Sequence, residues 1–271
     1  MSARTGKLPP SEQDALLAVA VQAARDAGEV LLQHFGQLDE REIGRKSSVR
    51  DLVTAADVAS ERLLVERLRA ACPGHAIEAE EEVQDPADDR PRWFLDPLDG
   101  TVNFVHRLPL FGVSMGLFID GEPELAVVHA PRLGETFVAA RGAGATCNGK
   151  AMSVTDTTEL AQAVLATGFP YRRGELEHSN LENFASLFYE VRGLRRMGSA
   201  ALDLAFLADG RLDGFWELHL SPHDVAAGAL LVQEAGGLVT DAAGRQGWLR
   251  GGNIVAAGSG LHEKIRARIV C

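Results

Sequence analysis

The chain has 271 residues, 46% hydrophobic and 24% charged, a globular composition for which one domain or two intimate lobes can bury about three quarters of the unfolded surface. Its formal charge of −11 excludes a general attraction for nucleic acid or anionic lipid, and any phosphate-bearing substrate would need metal to screen the acidity. Three cysteines, Cys72, Cys147 and Cys271, argue against a disulfide framework or a zinc site and for a reducing, cytoplasmic compartment, and no run approaches a membrane span or signal peptide.

Residues 1–10 are expected to be loose and 11–271 to form a single domain, with an antiparallel α+β lobe over about 11–155 and an α/β lobe over 156–271. Ser11-Glu12-Gln13-Asp14 reads as a capping box before an amphipathic helix carrying Leu16, Leu17, Ala20, Val21, Ala24, Gly28 and Leu31, which should stop near Gly36. A polar stretch from Lys46 follows, ending at Asp57, whose carboxylate at a helix start suits either a cap or a site. A helix over about Asp57 to Ala71 is ended by Pro73-Gly74.

A strand through Ala76 and Ile77 leads into Glu80-Glu81-Glu82, which could be a solvated acidic surface or part of a site. Trp93-Phe94-Leu95 reads as a buried strand, after which Asp96-Pro97 and Asp99-Gly100 should turn the chain. Such a turn aims Asp96, Asp99 and the Leu98 carbonyl at one point, and those oxygens suit a hard divalent cation such as Mg²⁺. Gly100 and Thr101 stand where a helix can begin, leaving backbone N–H groups for phosphate oxygens, and the Thr101 hydroxyl can position a water.

Phe111 to Ile119, Leu125 to Ala130 and Glu135 to Ala140 read as an antiparallel meander. Beyond it, a strand over Val164 to Thr167, helices near Leu181 to Val191 and Ser199 to Ala208, a strand over Asp213 to Glu217, a helix over Pro222 to Ala235 and a strand over Leu238 to Thr240 alternate. Ser221 fits the N-cap of the last helix and Asp224 its third position, where a cap and a metal ligand are compatible.

Taken together these motifs resemble the inositol monophosphatase family of Mg²⁺-dependent phosphatases, and the similarity spans most of the chain. It is carried by Lys46 to Asp57, Glu80-Glu81, Asp96 to Phe104, Gly198-Ser199-Ala200-Ala201, and Asp224 through Glu234-Ala235-Gly236-Gly237. The resemblance implies an α/β (α+β) fold, a layered αβαβα sandwich, with two or three Mg²⁺ ions, inhibition by lithium and homodimers. It implies that Glu80, Asp96, the Leu98 carbonyl, Asp99 and Asp224 bind metal, that Glu81 holds or activates a metal-associated water, and that Thr101, supported by Asp57, orients the attacking water. Gly100 and Thr101 would bind phosphate, while Asp99, Ser199, Ala200, Glu217 and Asp224 would face the substrate, Glu217 as an acceptor for ring hydroxyls.

Two departures stand out: His223 where the family usually has Trp before the final Asp, and Ala79 where Gly normally precedes the glutamates. His223 either packs without consequence or puts a titratable ring beside Asp224. The expected reaction is hydrolysis of inositol 1-phosphate or a similar polyol monophosphate. Relatives of this fold cleave fructose 1,6-bisphosphate, histidinol phosphate or 3′-phosphoadenosine 5′-phosphate, and Val102 after Asp99-Gly100-Thr101, where the nucleotide-cleaving branch has Lys, favours the inositol branch. A regulatory binding protein that retains the fold is the alternative of a different class.

Overall fold

The computed structural model describes residues 8–39, 41, 43–46 and 51–271. Helix α1 (Pro10–His34) starts at Pro10 behind Pro9, with no side-chain cap, so Ser11 is not the N-cap expected of it. Proline's fixed φ suits the first helical turn, where its missing N–H costs nothing. Residues 8–10 of the segment expected to be loose are held in place: Leu8 is buried and its amide donates to Glu124 Oε1 at 2.8 Å. Strands β1 (Ile43–Arg45) and β2 (Leu52–Thr54) pair antiparallel, and Ser47 to Arg50 of the expected polar loop lie outside the described residues. Helix α2 (Ala55–Ala71) begins at a Thr54 cap whose hydroxyl accepts from the Ala56 amide at 3.1 Å.

Seven strands form the first sheet: β3 (Ala76–Ala79), β4 (Arg92–Asp99), β5 (Gly112–Ile119), β6 (Glu122–Ala130), β7 (Glu135–Ala140), β8 (Gly144–Cys147) and β9 (Lys150–Ala151), in that spatial order. Only the β3–β4 pair is parallel; the rest is the expected meander, extended by β8 and β9. Both faces of this sheet are covered, which explains its nearly unbroken apolar runs. Along β4, Trp93 and Leu95 pack towards α1 and α2, whereas Phe94 between them packs towards the opposite side.

The strand does not end at Leu95 with a turn after it, as the sequence suggested. Strand β4 continues to Asp99, with a register shift against β5 between Asp96 and Asp99. Pro97 has no N–H to donate, and the Leu98 amide turns to Asp96 Oδ1 at 3.0 Å, while Ser60 Oγ on α2 donates to the Pro97 carbonyl at 2.8 Å. A bulge therefore does the work assigned to the turn. Helix α3 (Thr101–Val105) follows Gly100, whose φ of +94° and close approach to the Leu110 carbonyl require glycine.

The second sheet contains β10 (Val164–Thr167), β11 (Gly193–Arg195), β12 (Gly214–Leu218), β13 (Leu238–Thr240) and β14 (Asn253–Ala257), in the order β11-β10-β12-β14-β13. The β10 pairings are parallel, but β14 runs antiparallel to both its neighbours, so the sheet is mixed. Helices α5 (Ala200–Ala208) and α6 (Pro222–Glu234) lie between the two sheets, and their Leu202, Leu204, Val225 and Leu230 share one core with Phe94, Phe137, Phe215 and Ile254. Helices α4 (Leu181–Phe188) and α8 (His262–Arg266), preceded by the short α7 (Trp248–Gly251), complete the chain. Leu187 of α4 and Ile265 of α8 pack with Leu165, Trp216 and Val255 on the far face of the second sheet. The layers are helices, sheet, helices, sheet, helices, an α/β fold. Among the described residues no helix is long and apolar enough to cross a membrane, and no disulfide joins the three cysteines.

Candidate active site

The ends of β3, β4 and β12 and the starts of α5 and α6 meet at an open cleft of about 490 Å³. Its walls include Lys46, Glu80, Asp99, Ser199, Ala200, Asp203, Glu217, His223 and Asp224, with Gly168 to Arg172 across from them. Of the expected site residues, Glu80, Asp99, Ser199, Ala200, Glu217 and Asp224 line the cleft, while Asp57, Thr101 and the Leu98 carbonyl are joined to one another by hydrogen bonds and are not among its lining residues.

Asp57 does both things the sequence left open. Its Oδ2 accepts from the Thr54 amide and hydroxyl at 2.8 and 2.6 Å, capping α2, and its Oδ1 accepts from Thr101 Oγ1 at 3.1 Å. The same threonine hydroxyl lies 3.1 Å from the Leu98 carbonyl. Burial lifts the Asp57 carboxyl to about 6, against the pull of its Thr54 hydrogen bonds.

Asp99 Oδ2 accepts from Ser199 Oγ at 2.6 Å and from the Ala201 amide at 2.7 Å, so the first turn of α5 grips the end of β4. Ser199 is buried and its hydroxyl is engaged by Asp99, which places it behind the carboxylate as well as beside the cleft. Burial raises Asp99 to about 7, with the Asp224 charge adding to the effect and the Ser199 hydrogen bond opposing it. Asp96, fully enclosed, is pushed well above the usual carboxylate range by burial and then by Glu80, Asp99 and Asp224. Asp224 caps its own helix through Ser221 N–H at 2.6 Å and is also raised by burial.

Lys46, which opens a motif noted in the sequence but was given no role there, is a cation of the site. Its Nζ lies 2.7 Å from Glu80 Oε1 and 2.5 Å from Glu81 Oε1, and this pair of carboxylates outweighs burial and keeps the ammonium charged. Glu81 is nevertheless raised to about 7, by burial and by the Glu80 charge. Behind them stands Glu61 on α2, missed in the sequence: buried, it accepts the amides of Glu81, Glu82 and Val83 at 2.7, 2.7 and 2.9 Å and so shapes the loop carrying Glu80 and Glu81. Its signal was a lone acid on the apolar side of a helix, too ordinary to single out.

Glu217 is held on β12 by a network also invisible in sequence. Trp216 Nε1 donates to Asn180 Oδ1 at 2.7 Å, and Asn180 Nδ2 donates to the Gly168 carbonyl at 2.6 Å. The Glu217 carboxyl packs over the Gly168 Cα, where any side chain would collide with it. Burial raises Glu217 to about 8, the Asp224 charge adding to this and Arg196 opposing it. His223 lines the cleft instead of facing away, with Nε2 3.8 Å from Asp224 Oδ1.

As the side chains stand, no three His, Cys, Asp or Glu residues close on a single metal position among the described residues. The chemistry of the donors still fits a hard cation. Glu80, Asp96, Asp99 and Asp224 are all-oxygen donors, Asp96 and Asp99 buried and the other two half-buried, and after burial the negative charges of the other three raise the Asp96 carboxyl, an arrangement that added positive charge relieves.

A family model described as the inositol monophosphatase family matches residues 12–271. Proteins named Nus factor SuhB are 43% identical over 242 residues in Salmonella typhimurium and 45% identical over 249 residues in Pseudomonas aeruginosa, each alignment covering 89% of this chain and 90% of the relative. The solved inositol monophosphatase of Anabaena (Nostoc) is 40% identical with a TM-score of 0.86, over 94% of this chain and 95% of its own. An inositol-monophosphate-bound IMPase-II, SaIMPase-II, is 26% identical with a TM-score of 0.79, over 93% and 92%. The chain belongs to the inositol monophosphatase family.

Proposed function

We propose that the protein is a Mg²⁺-dependent phosphomonoesterase that hydrolyses inositol 1-phosphate or a similar polyol monophosphate to the alcohol and phosphate. The observation that carries this reading is the Asp57–Thr101 hydrogen bond, whose threonine also reaches the Leu98 carbonyl between the buried Asp96 and Asp99, next to a sugar-sized cleft lined by Asp99 and Asp224.

Glu80, Asp96, the Leu98 carbonyl, Asp99 and Asp224 would hold the metal. Bound divalent cations neutralise charge at the attacking and leaving oxygens of a phosphoryl displacement. Thr101 Oγ1 donates its single proton towards Asp57 Oδ1, which leaves the hydroxyl's lone pairs to accept from a water and orient it. Asp57 and Glu81, lifted to about 6 and about 7, are poised to take up a proton near neutral pH. The Gly100 and Thr101 amides would bind phosphate, and Ser199, Ala200 and Glu217 would border the alcohol. The family resemblance adds lithium inhibition and a homodimer, and three cysteines without a disulfide suit the cytoplasm.

The test is phosphate release from inositol 1-phosphate with and without Mg²⁺, and no Mg²⁺-dependent release from any polyol monophosphate would defeat the reading. A second reading, a binding role with a macromolecular partner, is favoured by relatives that carry the name Nus factor SuhB. It is tested by affinity capture under conditions that preserve Mg²⁺, where an empty capture rejects it.

A further inference from the structure

On the alcohol side of the cleft stands a carboxyl that neither the catalytic reading nor the family resemblance uses. Asp203 on α5 is 1% exposed, yet it lines the cleft, and its Oδ1 has no hydrogen-bond partner among the described residues. A buried polar atom without a partner costs stability, so it calls for a ligand that supplies one. Its position says what kind. Ser199 and the Ala201 amide, at the start of α5, bind Asp99 on the metal side, and Asp203 comes one helical turn later. Four residues of helix separate Ser199 from Asp203 by about 6 Å along the axis. That is the span of a six-membered ring, not of a group adjacent to the phosphate.

Asp203 feels the charge of Glu217, the other acid on this wall, and Arg196 is a cation acting on both. The wall presents carboxyl oxygens, which a leaving group bearing hydroxyl donors can meet.

Resting on the phosphomonoesterase reading, we infer that Asp203 is a specificity-determining residue, accepting a hydrogen bond from a ring hydroxyl of a cyclic polyol leaving group on the side away from the phosphate. The inference separates Asp203 from a structural role, because a structural carboxylate would have both oxygens satisfied within the protein and its Oδ1 is not.

The experiment compares wild type, Asp203→Ala and Asp203→Asn on two esters, inositol 1-phosphate and p-nitrophenyl phosphate, the second having a ring but no hydroxyl. The ratio of kcat/KM for the polyol ester to that for the aryl ester falls about tenfold or more in Asp203→Ala, mostly through KM, and Asp203→Asn, which keeps an acceptor oxygen, regains part of it. In ligand-free protein Asp203→Asn raises Tm by about 2 °C or more, since it removes an unpaired buried acid. An unchanged ratio in an active enzyme overturns the inference alone, as does a lowered Tm with equal losses on both esters, the mark of a structural role. Wild-type protein that releases phosphate from neither ester nor from any other polyol monophosphate overturns the phosphatase reading and this inference with it.

Discussion

Thr101 Oγ1 stands 3.1 Å from Asp57 Oδ1, although 44 residues separate the two in sequence, and the other oxygen of the same aspartate caps α2 through Thr54. One buried side chain thus fixes a helix start and aims a hydroxyl into the site. Its two tasks can be separated by mutation.

Asp57→Asn keeps the shape of the side chain and loses the carboxylate that draws the Thr101 proton. We expect kcat to fall about a hundredfold or more with little change in KM. Thr101→Ala should match it in kcat while leaving the α2 cap intact, so its Tm should stay closer to wild type. Equal stability losses and unequal kcat losses would contradict the shared role.

Glu61 accepts three consecutive amides of the loop that carries Glu80 and Glu81. In Glu61→Ala those donors lose their buried partner, and unfolding should be easier by about 3 kcal/mol in a denaturant titration. The same variant should need more Mg²⁺ for half-maximal activity, because the loop no longer fixes Glu80. Lower stability with an unchanged Mg²⁺ requirement would mean that the loop is held by other contacts.

Glu217 rises from an ordinary 4.5 to about 8 in the folded protein, because it is buried. Between those values the native state holds a proton that the unfolded chain has released, so stability must fall as pH rises through this window. Asp99 and Asp57, at about 7 and about 6, act in the same direction. Metal-free protein in chelator should therefore lose Tm from pH 5 to pH 8, and Glu217→Gln should flatten the decline. A Tm that climbs over this range would contradict the buried, raised acids.

Much of this was legible in sequence. The β5–β7 meander, the α6 start at Ser221-Pro222 and the Asp96 to Phe104 motif follow from alternation, proline placement and turn residues, which act locally. Asn103 shows what local reading cannot reach. Its Nδ2 donates to the Leu110 and Met197 carbonyls at 2.6 and 2.8 Å, tying α3 to the segment before α5. Glu61, Asn180 and Lys46 act the same way, across 20 to 36 residues, through buried hydrogen bonds and ion pairs with no periodic signature. Strands β8, β9, β11 and β14 were missed because they are short or are fixed by their neighbours in the sheet. The bulge at Pro97 was read as a turn because Asp-Pro punctuates both.

The central claim is that buried carboxylates and the Asp57–Thr101 pair make a Mg²⁺-dependent phosphatase of polyol esters. Its most direct test is phosphate release, with and without Mg²⁺, from inositol 1-phosphate, fructose 1,6-bisphosphate, histidinol phosphate and 3′-phosphoadenosine 5′-phosphate, with Asp99→Asn as the control. The account predicts Mg²⁺-dependent release that is fastest from inositol 1-phosphate and abolished in the variant. No release from any of the four by folded, Mg²⁺-loaded protein, or release that Asp99→Asn leaves intact, would contradict it.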